Sequence, residues 1–292
     1  MAIDTARARN LPMPNPDLKH QMRLGDARDL SFLADESVHL IVTSPPYWSL
    51  KEYRDAPGQL GHIENYELFL DELQKVWRHA LRVLVPGGRM VIVVGDVAVS
   101  RRKHGRHLVY PLHADIQVQC RKLGFDNLNP IIWYKIANAR FEVENGSSFL
   151  GKPYEPNAII KTDIEYILMQ RKPGGYRKPT EQQRAESRIS KEDFQEWFRQ
   201  IWTISGNSTR DHPAPFPLEL AERLVRMFSF TEDVVLDPFN GTGTTVIASA
   251  LHNRRGIGVE IDPYYLDYAI KRFKKHLQPP LWPQHASLET IL

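Results

Sequence analysis

Cysteine is almost missing from this chain: its 292 residues include one, Cys120. That excludes a disulfide framework and a cysteine-ligated zinc site, and it reads as a reducing, cytosolic setting. No apolar run reaches bilayer-crossing length, no secretory-type segment stands near the start, and no internal repeat is visible. An excess of either charge is also missing. Lys and Arg number 38 against 35 Asp and Glu, a formal net charge of +3, which permits nucleic acid without demanding it. The rest is ordinary for a globular protein, 42% hydrophobic and 25% charged, with length for one large domain or two small ones.

Against that background one stretch stands out, Thr43-Ser44-Pro45-Pro46-Tyr47-Trp48. It follows Val38 to Val42, an apolar run that reads as a buried parallel strand. Two prolines then stop the sheet, because neither offers an N–H and both fix φ. The expected product is a stiff tongue at the carboxyl edge of a sheet, where open α/β proteins bind ligands. Its hydroxyl, spare carbonyls and rings suit a flat substrate with a polar edge, such as a nucleobase. A plain strand end closed by a tyrosine reads equally well from these residues alone.

Elsewhere the pattern is alternating helix and strand. Phe69, Leu73, Val76, Trp77, Ala80 and Leu84 form a helical stripe over Tyr66 to Val85, closed by Pro86-Gly87-Gly88. Met90 to Val94 is a strand ending at Gly95-Asp96, and Pro111 to Leu123 is a helix that puts Cys120 in its core stripe, a poor place for a nucleophile. Residues 130 to 135 and 164 to 169 read as further strands, joined by a polar excursion from Ala137 to Lys161. Leu24-Gly25-Asp26 looks like a strand end, with Asp26 either capping a helix or facing a ligand. Two basic stretches invite phosphate contacts: Arg101-Arg102-Lys103 with Arg106, and Arg171 to Asn207, where Arg177 and Lys178 interleave with Tyr176, Trp197 and Trp202.

A second site settles how the tongue is read. Asp233 to Leu236 is a strand running into Asp237-Pro238-Phe239-Asn240-Gly241-Thr242-Gly243-Thr244-Thr245, then a helix, then the strand Gly256 to Val259 ending in Glu260. This β–Gly-loop–α–β unit closing on an acid is a nucleotide-binding arrangement. It lacks the Walker lysine, and Asp237 would repel phosphate. An acid for ribose hydroxyls, a loop for close approach and a preference for positive charge together point to S-adenosylmethionine. Upstream, His212 to Pro217 opens a helix at Leu218, and this proline-rich entry would wall the methionine end of such a ligand.

In this order, Ser44 to Tyr47, Ile131-Ile132-Trp133-Tyr134-Lys135, His212 to Pro217, Asp237 to Gly243 and Glu260 resemble the β arrangement of amino-methylating DNA methyltransferases over nearly the whole chain. The resemblance implies an α/β, doubly wound, mostly parallel seven-stranded sheet with helices on both faces, one final strand antiparallel, and a target-recognition insert. The corresponding division is an arm 1–20, a methyltransferase domain 21–170 and 208–276, an insert 171–207 with help from loop 137–161, and a tail 277–292. It implies Ser44, Pro45, Pro46 and Tyr47 as catalytic residues, with Tyr47 stacking on a flipped base and Trp48 or Trp133 on its other face. The implied cofactor residues are Asp26, Phe216, Pro217, Asp237, Pro238, Phe239, Gly241, Gly243, Thr244, Glu260 and Ile261. Arg101, Arg102, Lys103, Arg106, Arg177 and Lys178 would contact double-stranded DNA, with no metal required. Serine in first place looks like the cytosine-N4 group, aspartate being commoner in adenine-N6 enzymes, which stay the alternative. A prokaryotic cytoplasm and a cognate restriction endonuclease complete the expected setting.

Overall fold

Strands that are apolar on both faces need helices above and below, and the order of elements supplies them. The computed structural model describes residues 15–50, 53–135, 156–157, 159–160, 162–206, 216–277 and 286–292. Its strands are β1 (Lys19–Leu24), β2 (Val38–Thr43), β3 (Leu84–Val94), β4 (Val97–Val99), β5 (Leu108–Tyr110), β6 (Asp126–Tyr134), β7 (Ile164–Arg171), β8 (Ile201–Trp202), β9 (Val234–Asp237), β10 (Arg255–Glu260) and β11 (Ser287–Ile291). Its helices are α1 (Tyr66–Val83), α2 (Arg101–His104), α3 (Leu112–Leu123), α4 (Glu181–Glu186), α5 (Lys191–Trp197), α6 (Leu218–Phe228), α7 (Thr244–Leu251) and α8 (Pro263–Leu277).

Among the described residues one sheet has nine strands in the order β11-β1-β10-β9-β2-β3-β7-β6-β8. All run parallel except β7, which is antiparallel to both β3 and β6. The expected seven-stranded core is therefore present, and short strands lengthen both edges. β11, within the stretch 277–292 expected as a tail, pairs with β1 through Lys19↔Ser287 to Arg23↔Ile291. Lys19 and His20 likewise belong to β1 rather than to an arm.

Helices α1 and α3 cover one face of the sheet, and α6, α7 and α8 cover the other. The α1 stripe is buried as its spacing predicts, and Asn65 caps it by accepting from Leu68 N–H at 3.0 Å. Burying Phe69, Leu73, Val76 and Trp77 stabilises the packing by about 1.5–3 kcal/mol each. Pro86-Gly87-Gly88 does not simply end α1; it lies inside β3, where the pairing jumps from Val38↔Leu84 to Leu40↔Arg89. Gly87, at φ 78°, sits so close to the Gly175 carbonyl that a Cβ there would overlap its oxygen. The bulge lets the strand start early and still meet its neighbour in register.

Candidate functional site

Four adjacent parallel strands, β1, β10, β9 and β2, send their carboxyl-end loops to one rim. Leu24 pairs with Glu260, Gly258 with Asp237, and Ile41 with Leu236. The tongue after β2 and the glycine loop after β9 are therefore neighbours, and an open cleft lies along them. Asp26, Ser44, Pro46, Phe239, Gly241 and Glu260 all line it, joined by Pro238 and Ile261.

The acids do different work. Glu260 is buried at the floor, its Oε2 accepting Gly241 N–H at 2.7 Å and its Oε1 accepting Asp262 N–H at 3.0 Å. Each oxygen keeps a further lone pair for a ligand. Burial pushes its pKa up to about 7 against the pull of those two N–H groups. Asp26 lines the cleft from the end of β1 and is held by Arg28, whose Nε is 2.9 Å from Oδ1 and whose Nη1 also reaches Glu72 at 2.6 Å. Asp237 does not stand at the mouth as its place in the loop suggested. It is 1% exposed and lies beneath the cleft, accepting Thr43 Oγ1–H at 2.7 Å and Phe239 N–H at 3.1 Å. Burial raises its pKa to about 6. Its carboxylate ties the root of the tongue to the start of the glycine loop.

Several expected ligand residues turn out to serve packing. Gly243, at φ 77°, faces Met22 and Ala269, where a Cβ would lie about 3.0 Å from the Met22 side chain. Thr244 is buried and accepts from Arg272 Nη1 at 2.8 Å. Phe216 belongs to the core under α6, and Pro217 is the residue preceding that helix; neither lines the cleft. His212 to Pro215 lie outside the described residues, as do residues 1–14 of the arm and most of loop 137–161.

Both tryptophans are corrected in the same way. Trp48 is 4% exposed, donates its indole N–H to the Ile63 carbonyl at 2.8 Å and packs edge-on against Tyr66 and Tyr110. Trp133 is fully buried and donates to the Ile204 carbonyl at 2.7 Å. An indole with its N–H satisfied inside the core has no face left for a base. Tyr47 is also buried: its hydroxyl points to Glu165 Oε2 at 3.1 Å and receives Ser44 Oγ–H at 3.3 Å. Its ring is not open for stacking here. Pro45 is buried between Ser44 and Pro46.

The two basic stretches part company. β3 ends at the same rim as the tongue, and the antiparallel hairpin β4–β5 rises from it with α2 at its tip. Arg101, Arg102 and Arg106 are exposed there, with no ion pair to another described residue; the Lys103 side chain lies outside what is described. The first part of the 171–202 stretch instead folds against the opposite, amino edge of the sheet, before Ile201–Trp202 returns as β8 beside Ile132–Trp133. Arg177 Nε donates to Asp233 Oδ1 at 2.6 Å, one residue before β9 begins, and Gln183 reaches the Thr231 carbonyl at 2.9 Å. Trp197 and Trp202 are buried and Arg223 lies over both rings, at 5.6 and 5.5 Å. Arg177 is thus a core tie rather than a free cation, and Lys178, though exposed, sits beside it on the wrong edge. The sequence reading also missed residues 53 to 62, which supply Tyr53, Gln59 and Leu60 to the cleft, and Tyr265 from α8. Only Pro57-Gly58 marked that loop, and a turn pair carries no hint of a ligand.

Comparison with known proteins places this arrangement. A family model described as DNA methylase matches residues 38–271. Type II methyltransferase M.MjaI of Methanocaldococcus jannaschii is 39% identical over 274 residues, covering 83% of this chain and 87% of that protein. Among solved structures, TTHA0409 of Thermus thermophilus, assigned as a DNA modification methylase and complexed with S-adenosyl-L-methionine, is 60% identical with a TM-score of 0.77 over 93% of this chain and 98% of that one. The cytosine-N4-specific PvuII DNA methyltransferase, at 20% identity and a TM-score of 0.64 over 90% of each chain, shares the fold.

Proposed function

Because the chain belongs to the N6/N4 DNA methylase family, we propose that it methylates the exocyclic N4 amine of a cytosine flipped out of duplex DNA. The observation that carries this reading is the juxtaposition of the proline tongue and the glycine loop on adjacent parallel strands, buttoned together through Thr43 and Asp237. S-adenosylmethionine is the donor, and the cleft suits it. Its lining holds carboxylates, Asp26 and Glu260, together with apolar and aromatic walls, and among the described residues no lysine or arginine that a phosphate would want. Bound there, the group supplies a methyl on a positively charged sulfur. Glu260 would hold the ribose hydroxyls of that group, with Phe239, Leu60, Ser44 and Pro46 forming the other walls around it.

The protein's share of the chemistry is positional. A cytosine amine is a weak nucleophile because its lone pair is spread into the ring. Accepting its hydrogens on the Ser44 hydroxyl and the Pro45 carbonyl draws the nitrogen toward tetrahedral geometry and returns the lone pair to it. No covalent attachment to the chain is needed. Cys120 could not supply one, since it is buried and its thiol pKa is pushed far up by that burial. Extruding the base costs a few kcal/mol of lost stacking, and the hairpin arginines Arg101, Arg102 and Arg106 hold the flanking phosphates.

Serine at the head of the tongue favours cytosine over adenine, the second reading. The test is incubation with tritiated S-adenosylmethionine and DNA from a methylation-free host, followed by digestion to nucleosides. Label in N4-methyldeoxycytidine is expected. Label in N6-methyldeoxyadenosine alone would move the enzyme to the second reading, and an unlabelled DNA fraction would overturn both.

A further inference from the structure

The tongue is wired to an acid outside the cleft. Glu165 stands near the start of β7, the antiparallel strand, which begins at the same rim where β3 ends. Its Oε1 is ion-paired with Lys135 Nζ, and its Oε2 lies 3.1 Å from the Tyr47 hydroxyl. Lys135 is itself held with its ammonium 4.5 Å over the Trp133 ring. Tyr47 in turn lies 3.3 Å from Ser44 Oγ, and Ser44 lines the cleft.

The direction of hydrogen bonding along this row is set from one end. A carboxylate paired with an ammonium has only lone pairs to offer, so Tyr47 must donate to it. The other acceptor near that hydroxyl, the Val93 carbonyl at 3.4 Å, is farther and uncharged. Burial, with Glu165 adjacent, pushes the Tyr47 phenol well above its ordinary pKa, so it keeps the proton it donates. With its own hydrogen committed to Glu165, the Tyr47 oxygen can only accept from Ser44. The Ser44 hydrogen is then turned away from the cleft, and its lone pairs face into it.

We propose that Glu165 is a positioning residue that fixes this row so that Ser44 meets the substrate as an acceptor, and that it thereby selects bases presenting an amine over bases presenting a carbonyl at the reacting edge. The inference rests on the methyl-transfer reading and deepens it. A row left free to reverse would let Ser44 point its hydrogen at the incoming N–H groups, which repels the substrate and leaves the lone pair delocalised.

The test is a double-mutant cycle of Glu165→Gln and Tyr47→Phe, read as kcat and KM for DNA and as equilibrium affinity for S-adenosylmethionine. Glutamine keeps the shape but offers both a carbonyl and an NH2, so the direction is no longer imposed. E165Q is expected to lower kcat roughly 10- to 100-fold with cofactor affinity unchanged. In the Y47F background, where the row is already cut, the same change is expected to add nothing. Full additivity of the two losses would overturn the inference, as would wild-type kcat in E165Q. A parallel loss of cofactor affinity and thermal stability in E165Q would also overturn it, showing a structural role only. A wild-type protein that transfers no label to DNA would instead sink the methyl-transfer reading, whatever the variants do.

Discussion

The two edges of the sheet carry similar-looking signals and put them to opposite use. At the carboxyl rim, Ser44, Asp26, Gly241 and Glu260 converge on one cleft from four separate strands. At the amino edge, Arg177, from the basic-aromatic stretch that reads as a nucleic-acid surface, is spent on the start of β9, while Trp197 and Trp202 of the same stretch are buried against α6. The difference lies in what each signal constrains. Proline, glycine and an acid at a strand end restrict the backbone, and backbone restriction survives whatever packs around it. A cation or a ring restricts nothing until its partner is known. Asp233, 1% exposed, is the partner that turns Arg177 inward.

The sharpest way to break this comparison is to cut one residue at each edge. Ser44→Ala removes an acceptor for the reacting amine and is expected to lower kcat roughly 100-fold, with cofactor affinity and thermal stability near wild type. Arg177→Ala leaves the buried Asp233 carboxylate without its cation and is expected to cost on the order of 3 kcal/mol in unfolding free energy. Below its lowered melting point that variant should still bind and methylate DNA. Denaturant titration together with a methyl-transfer assay reads both. Loss of DNA affinity in a folded Arg177→Ala would return the amino edge to the DNA-binding face.

How much was legible follows the same division. Strand and helix assignments held where the signal was strong: α6 begins at Leu218 as read, and β2 covers Val38–Thr43, one residue beyond the run Val38 to Val42. The family resemblance was enough to expect one antiparallel strand in a parallel sheet but not its place: β7 lies between β3 and β6 and is not the final strand. The β4–β5 hairpin and the edge strands β8 and β11 escaped, because strands of two to five residues carry too little alternation to read. In the site, Asp26, Ser44, Pro46, Pro238, Phe239, Gly241, Glu260 and Ile261 from the sequence reading line one cleft. Asp237, Gly243 and Trp133 were found for the wrong reason: burial and neighbours decide whether an acid, a glycine or a ring faces ligand or core, and neither is written locally. Tyr53 and Tyr265 were invisible because they reach the cleft from loops and helices with no motif of their own.

A finer probe of the rim is pH. Burial holds Glu260 at about 7 and Asp237 at about 6, both above an ordinary carboxylate. The folded chain therefore binds more protons than the unfolded one between roughly pH 4 and 7, so these two groups cost stability as pH rises through that window. A ligand that needs the ionised Glu260 reverses the sign and binds better as pH rises. S-adenosylmethionine affinity is expected to be about tenfold weaker at pH 6 than at pH 8, and Glu260→Gln should flatten the profile at a lower affinity. Calorimetry across that range reads it, and a flat wild-type profile would remove Glu260 from the ribose.

The smallest effect is expected where charge is exposed, and it tests whether the carboxyl rim extends outward along the hairpin. Arg101 and Arg102 are solvated and unpaired among the described residues, so replacing both with alanine should leave stability alone. If each neutralises a phosphate, the plot of log affinity against log salt becomes shallower by about 0.9 for every phosphate no longer neutralised, a weakening that fades as salt rises. Lys178→Ala, an equally exposed cation on the amino edge, is the control and should leave the slope untouched. Equal slopes for the hairpin variant and the wild type would mean that DNA approaches the cleft from another side, and that exposed charge at this rim is no more telling than buried charge was at the other.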